Sequence, residues 1–247
     1  MSDGIATQAG MYGGAFNVLS LSPSMWLDGS DVATFFDATS GGANVPPDGA
    51  IARWEDKSGN GNHATQATAI RRPLRKTSII NGRPVVQFNG VFTPGLGTFL
   101  DHPLNEPANF TAFVVVKTLG AGAQFLGMKT SGAVTLMYDT NTGWGTFNSG
   151  PAFLNSGGSV TSLSVISMQK SAGMTMRTNG VTGYSSGSYT PYSGDNNNRR
   201  TIGGYSNVTI EETLNGDIAE IIVCPSILTN AQIIATEAYL KNKWGTP

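Results

Sequence analysis

The sequence predicts an all-β protein, a sandwich of antiparallel strands finished by a short C-terminal helix. Three observations carry that expectation. Short apolar runs recur between clusters of Gly, Pro and Asn, leaving no place for the helices of a βαβ fold. Charged residues make up only 13% of the 247 positions while Gly numbers 32, the profile of turn-rich sandwiches and barrels more than of helical enzymes or disordered tails. The segment from Leu214 to Trp244 reads as a buried strand, a sharp corner and a docked closing helix.

Each element has a local reason. Residues 1–21 are poor in charge and rich in Gly, Ala and Ser, and Gly10, Gly13 and Gly14 oppose a stable helix. They predict an N-terminal arm docked on a partner or a neighbouring subunit, with pairing along its own sandwich as the plainer alternative. Residues 22–247 predict one domain, since a single core is attainable at this length. Candidate strands fall at 25–28, 51–56, 84–89, 110–118, 124–130, 133–139, 160–170, 174–177, 181–184 and 201–205. Arg71-Arg72 through Arg75-Lys76, broken by Pro73, reads as a solvated loop in preference to a phosphate site. Asn179-Gly180 between two strand-like runs signals a type I′ hairpin, because both central positions need φ > 0. The strand at 217–224 is entered through Asn215-Gly216 and stopped at Pro225, which has no N–H to donate. Thr229 and Gln232 form a capping box, Gly245 and Pro247 supply the stop, and Ile233, Leu240 and Trp244 share one buried stripe.

The formal net charge is -1, with 15 Lys and Arg against 16 Asp and Glu, which gives little footing for nucleic acid or an anionic membrane. Cys224 is the only cysteine, so no intrachain disulfide forms, and it is expected to pack as a small apolar residue. The first seven residues have no basic region followed by an apolar one, and no run reaches the length of a membrane span. The expectation is a protein that reaches its site without export, and a virus particle assembled in host cytoplasm fits that.

Four motifs are familiar together: 54–64 (WEDKSGNGNHA), 81–88 (NGRPVVQF), 202–204 (IGG) and 214–223 (LNGDIAEIIV). In this order and spacing they resemble the laminin-G-like branch of the concanavalin A-like lectin/glucanase superfamily, over about residues 25–244. The resemblance implies a two-sheet antiparallel jelly-roll sandwich. It implies no activity, because that fold carries lectins, adhesion modules, glycosidases and plain structural domains. It also raises calcium, often held at the rim in relatives, with Asp56, Asn60 and Asn62 as hard oxygen ligands. Against a metal, the spacing is not an EF-hand and the loop carries a single carboxylate; a self-capped structural turn is the favoured reading.

Chemistry finds little support. A glycosidase needs two carboxylates on one face, and no Glu-x-Asp-x-Glu arrangement is present. Asp217 and Glu220, three apart on a strand, are expected on opposite faces, with Glu220 beside Ile218 and Ile222 and hydrogen-bonded to backbone or Arg. His63 and His102 lie in loops without a second ligand at metal spacing, and there is no Gly-x-Ser-x-Gly elbow. Binding remains open. Asp139, Asn141 and Trp144, and Tyr192, Asp195 and Asn197, have the composition of sugar sites, an aromatic platform beside amides and carboxylates, though ordinary polar loops share it. The sequence thus predicts a non-enzymatic virion structural protein, a bacteriophage capsid decoration or tail component partnered by other virion proteins and copies of itself. The rivals are a carbohydrate-binding or adhesion module acting on cell-surface glycans, then a glycosidase. No cofactor is expected beyond that possible calcium.

Overall fold

The computed structural model describes residues 16–120, 123–128, 132–134, 136–140, 143–147, 153–195, 200–206 and 211–247. They form the two-sheet antiparallel sandwich that was expected. One sheet runs in the order Val181–Ser186, Met174–Thr178, Ser164–Lys170, Phe110–Thr118, Asn215–Cys224, Arg83–Asn89 and Leu74–Ile80. The other runs Phe153–Asn155, Gly143–Phe147, Leu136–Thr140, Ala123–Gly127, Thr201–Ile202, Leu100–Asp101, Ala64–Thr65, Arg53–Trp54 and Phe35–Phe36. Between them lies the main core, where Met25, Trp54, Phe88, Val114, Phe125, Trp144, Ile166 and Ile221 interdigitate.

A second apolar cluster coats the far side of the first sheet. Phe113, Val115, Val165, Ala219, Ile222 and Cys224 project outward to meet Leu228, Ile233, Leu240 and Trp244 of the C-terminal segment. The helix Asn230–Trp244 therefore adds a third layer, and the central strands are buried on both faces. That explains the uninterrupted apolar runs at 110–116 and 218–224: alternation is lost when neither face meets water. Thr229 accepts the Gln232 N–H while the Gln232 side chain accepts the Thr229 N–H, and Gly245 ends the helix at φ 68°. Glu237, also on the buried stripe, takes two N–H groups of Arg177 at 2.9 and 3.0 Å and the Ser167 hydroxyl at 2.9 Å. The Thr229→Ala variant is expected to lose about 1 kcal/mol, read as a lowered urea midpoint.

Strand Asn215–Cys224 is the organising element. Along one edge Phe110–Thr118 follows its whole length; along the other, Arg83–Asn89 pairs with its first half and Met25–Asp28 with its second. A bulge lies where the two halves meet: Ile218 pairs with Val116 and Glu220 with Val115, so Ala219 is extra. The Gly29 N–H takes the Ala219 carbonyl at 2.8 Å, so close that a Cβ on Gly29 would stand 2.6 Å from that oxygen. Gly29→Ala should cost about 1–3 kcal/mol through this clash, measurable by thermal unfolding.

Several expectations change. The bulge moves Glu220 onto the helix-facing side with Ala219 and Ile222, while Ile218 stays in the inter-sheet core, so Glu220 does not share a face with Ile218. Asp217 lies one side of the bulge and Glu220 the other, which places both on the outer face instead of opposite faces. The cationic stretch is not a loop throughout, because Arg75 and Lys76 belong to the edge strand Leu74–Ile80. Arg72 donates to the carbonyls of Gln66, Asp37 and Ala67, Arg75 to that of Val45, and Lys76 pairs with Asp48 at 2.7 Å. The expected strand at 51–56 shrinks to Arg53–Trp54, and strands Leu136–Thr140 and Gly143–Phe147 pair antiparallel with Asp139 opposite Trp144. Of the arm, residues 1–15 lie outside the described residues, whereas 16–21 pack on their own domain. Phe16 stacks on Tyr239 with ring centroids 5.0 Å apart, and Val18 and Leu21 are buried in the outer cluster. The Asn179-Gly180 hairpin is as expected, with φ of 50° and 86°.

Candidate functional site

The densest polar cluster lies under the helix. Asp28 and Glu220 face each other in register on adjacent strands, and Lys243 of the helix donates to both at 2.7 Å. Glu220 also accepts the indole N–H of Trp26 at 2.8 Å and of Trp244 at 2.7 Å. Asp28 accepts the Ser30 N–H and hydroxyl and the Lys57 ammonium, and Lys57 in turn pairs with Asp31 at 2.8 Å. The partners of Glu220 are thus a lysine, two indoles and, at 3.4 Å, the Tyr239 hydroxyl, not the backbone or arginine the sequence suggested.

Electrostatics divides the two acids. Burial, then the nearby Asp28 charge, raises the Glu220 carboxyl above its ordinary range. Burial also acts to raise Asp28, but Lys243, Ser30 and Lys57 outweigh it and hold that carboxyl low. Burial and Glu220 likewise raise the Tyr239 hydroxyl. A general acid must touch its substrate. Glu220 is 1% exposed and Asp28 4%, and through Lys243 and Trp244 the pair pins the helix to the sheet. No spacing rule links positions 28, 220 and 243; an aspartate ending an otherwise apolar buried strand was the only signal.

The loop after Asp56 is wired internally. Asp56 accepts the backbone N–H groups of Trp26, Ser58 and Asn62 at 2.8, 2.8 and 2.9 Å and the Ser58 hydroxyl at 2.7 Å. Asn60 and Asn62 turn their amide nitrogens to the carbonyls of Pro23 and Ser24 at 2.9 and 2.7 Å. The donor set expected for calcium therefore ties strand Met25–Asp28 to the loop, and all four acceptor positions of its one carboxylate are engaged. His63 joins in, its Nδ1 accepting the Asp56 N–H at 3.0 Å.

Of the candidate sugar residues, Trp144 alone has its side chain among the described residues. Trp144 is fully buried in the inter-sheet core, its indole N–H donating to Thr178 at 2.7 Å. This corrects the stacking role: the residue lies on strand Gly143–Phe147 with its side chain turned inward. Asp139, Tyr192 and Asp195 belong to strands, and their side chains lie outside the described residues, as do Asn141 and Asn197.

His102 is buried with its Nε2 against the Gly127 carbonyl at 2.7 Å. Burial pushes its pKa down to about 4 from 6.5, with Arg200 adding to the effect and the Gly127 contact opposing it. The unfolded chain thus takes up a proton below 6.5 while the folded one resists until about 4. Stability is full above that window, falls through it, and has dropped by about 3 kcal/mol at its acid end. Urea midpoints at pH 7, 5 and 4 should fall further for the wild type than for His102→Gln, which does not titrate. Cys224 packs as a small apolar group, its thiol pushed up to about 12 by burial.

An open groove of about 450 Å³ lies at the C-terminal end of the helix, walled by the hairpin turn at Asn81, the 161–163 loop and Lys117. Among the described residues no helix is long and apolar enough to cross a membrane.

No family model and no curated protein matches the chain. Solved structures do match, among them the following at low identity. A GH54 α-L-arabinofuranosidase soaked with a cyclic sulfate inhibitor aligns with a TM-score of 0.58 at 11% identity, over 91% of this chain and 65% of that one. Domain 4 of AbnA, a GH43 extracellular arabinanase from Geobacillus stearothermophilus, in complex with arabinotriose, aligns with 0.55 at 16%, over 74% and 92%. The botulinum neurotoxin serotype D binding domain aligns with 0.54 at 10%, over 94% of this chain and only 56% of that one. Hydrolases and binding domains alike share this sandwich, and at such identities the likeness establishes the fold alone.

Proposed function

We propose that the chain is a non-enzymatic structural component of a virus particle, a capsid decoration or tail protein that uses a laminin-G-like sandwich to present surface. The observation that carries this reading is the employment of the buried acids. Asp28, Asp56, Asp217, Glu220 and Glu237 are the five buried acids among the described residues. Each is bonded within the scaffold, to lysine, to backbone N–H groups, to Gln87, to indoles and to Arg177 respectively. A glycosidase keeps two such groups for its sugar. Low charge and a closed, internally braced sandwich suit repeated symmetric contacts between copies. The test is mass spectrometry of particles purified from lysed source cultures. Stoichiometric recovery with capsid or tail proteins supports the reading; a chain that stays in the particle-free supernatant refutes it.

A second reading, saccharide binding without catalysis, draws support from the alignment over nearly all of an arabinanase domain solved with arabinotriose. Its test is a glycan array, on which no bound saccharide would end it.

A further inference from the structure

We infer that the groove at the helix terminus is a binding site for an acidic saccharide, a pyranose carrying a carboxylate. The inference sharpens the saccharide reading, on which it rests, and stands apart from the particle reading.

The groove is built on rigid parts. Asn81 and Gly82 form a two-residue turn with φ of 48° and 69° between Leu74–Ile80 and Arg83–Asn89. Asn81 and Arg83 both donate to the Lys243 carbonyl, at 3.2 and 2.9 Å, so the turn clamps the end of the helix. Trp244 at the floor is held by its N–H bond to Glu220. A site preorganised in this way loses little entropy when a ligand enters.

Its lining has the chemistry of an acidic sugar. Ile79, half exposed, and Leu163 offer an apolar wall against which the C–H face of a pyranose can lie. Thr161, Ser162 and Asn81 place hydroxyl and amide groups around the rim for ring hydroxyls. The cation is the selective element. Lys57, Lys76, Lys170 and Lys243 each reach a carboxylate. Lys117 makes no ion pair among the described residues, although Asp217, 5% exposed and bonded to Gln87, is its cross-strand partner. The Lys117 charge acts on Asp217 without closing an ion pair, and an ammonium so placed inside a partly apolar groove favours a carboxylate on a ring over a neutral sugar or a bare ion. The volume falls within the range of about 300–1,000 Å³ common to small-molecule sites.

The test is calorimetric titration of the full chain with a trigalacturonate, a neutral trisaccharide of the same ring size, and inorganic phosphate. Trigalacturonate should bind at least tenfold more tightly than either control. Lys117→Met should weaken it at least tenfold, and Ser162→Trp, which fills the groove from an exposed loop position, should abolish it. Should Lys117→Met fail to fold, Ser162→Trp decides alone. Binding unchanged in the variants would overturn this site while leaving the saccharide reading intact. Equal binding of the neutral sugar, or phosphate as tight as the uronate, would overturn the acidic class. No binding of any saccharide would end both.

Discussion

Replacing Glu220 by alanine is expected to lower the unfolding free energy by about 3–5 kcal/mol, the usual cost of breaking a buried pair from one side. The loss has four identifiable parts: Lys243 keeps only Asp28 as a charged partner, and the indole N–H groups of Trp26 and Trp244 and the Tyr239 hydroxyl lose their acceptor. Unpaired buried donors cost more than the bonds they made. The helix should loosen first, seen as faster amide exchange across 230–244 and a weaker near-ultraviolet signal from the two tryptophans. Glu220→Gln keeps an acceptor while removing the charge, so it should fall between wild type and alanine. Lys243→Met in the Glu220→Gln background should cost less than it does alone, because the two residues act as a unit. A Glu220→Ala protein within 1 kcal/mol of wild type would show that this cluster does not dock the helix.

Trp144→Ala should be nearly as severe, at about 3–5 kcal/mol for truncating a large buried aromatic. The same substitution separates two ideas about the residue. A surface platform would lose sugar affinity and leave stability untouched; a core residue loses stability at once. Burial and the bond to Thr178 argue for the second outcome, which urea unfolding beside a glycan-binding assay would read directly. Trp144→Phe, which retains most of the volume but strands the Thr178 hydroxyl, should cost about 1–2 kcal/mol.

The long elements were legible in the sequence because their signals are local and agree with one another. The strands Met25–Asp28 and Phe110–Thr118 appear at the bounds expected, and the Asn179-Gly180 hairpin and the Thr229 cap follow from positive φ and reciprocal N–H acceptance. Two-residue strands such as Phe35–Phe36 and Leu100–Asp101 were invisible, since they exist through pairing with distant partners and carry too few residues to show a period. The side occupied by Glu220 was misjudged for a different reason: a bulge shifts the phase of everything after it, and nothing in the run Ile218-Ala219-Glu220-Ile221 announces one. The polar network under the helix and the groove beside it were equally hidden. The network joins residues 28, 220 and 243 and the groove residues 79–81, 117, 161–163 and 244–245, separations that only tertiary structure bridges.

That long reach governs how the molecule comes into being. The strand at 25–28 zips onto residues 220–223, nearly two hundred positions later. The middle of the first sheet stays open until residues 215–224 have emerged from the ribosome. Closing ladders over such separations is slow, in the millisecond-to-second regime of high contact order, and leaves apolar edges uncovered in the meantime. A nascent or truncated chain lacking the final strand should therefore engage chaperones or aggregate, whatever the completed protein goes on to do.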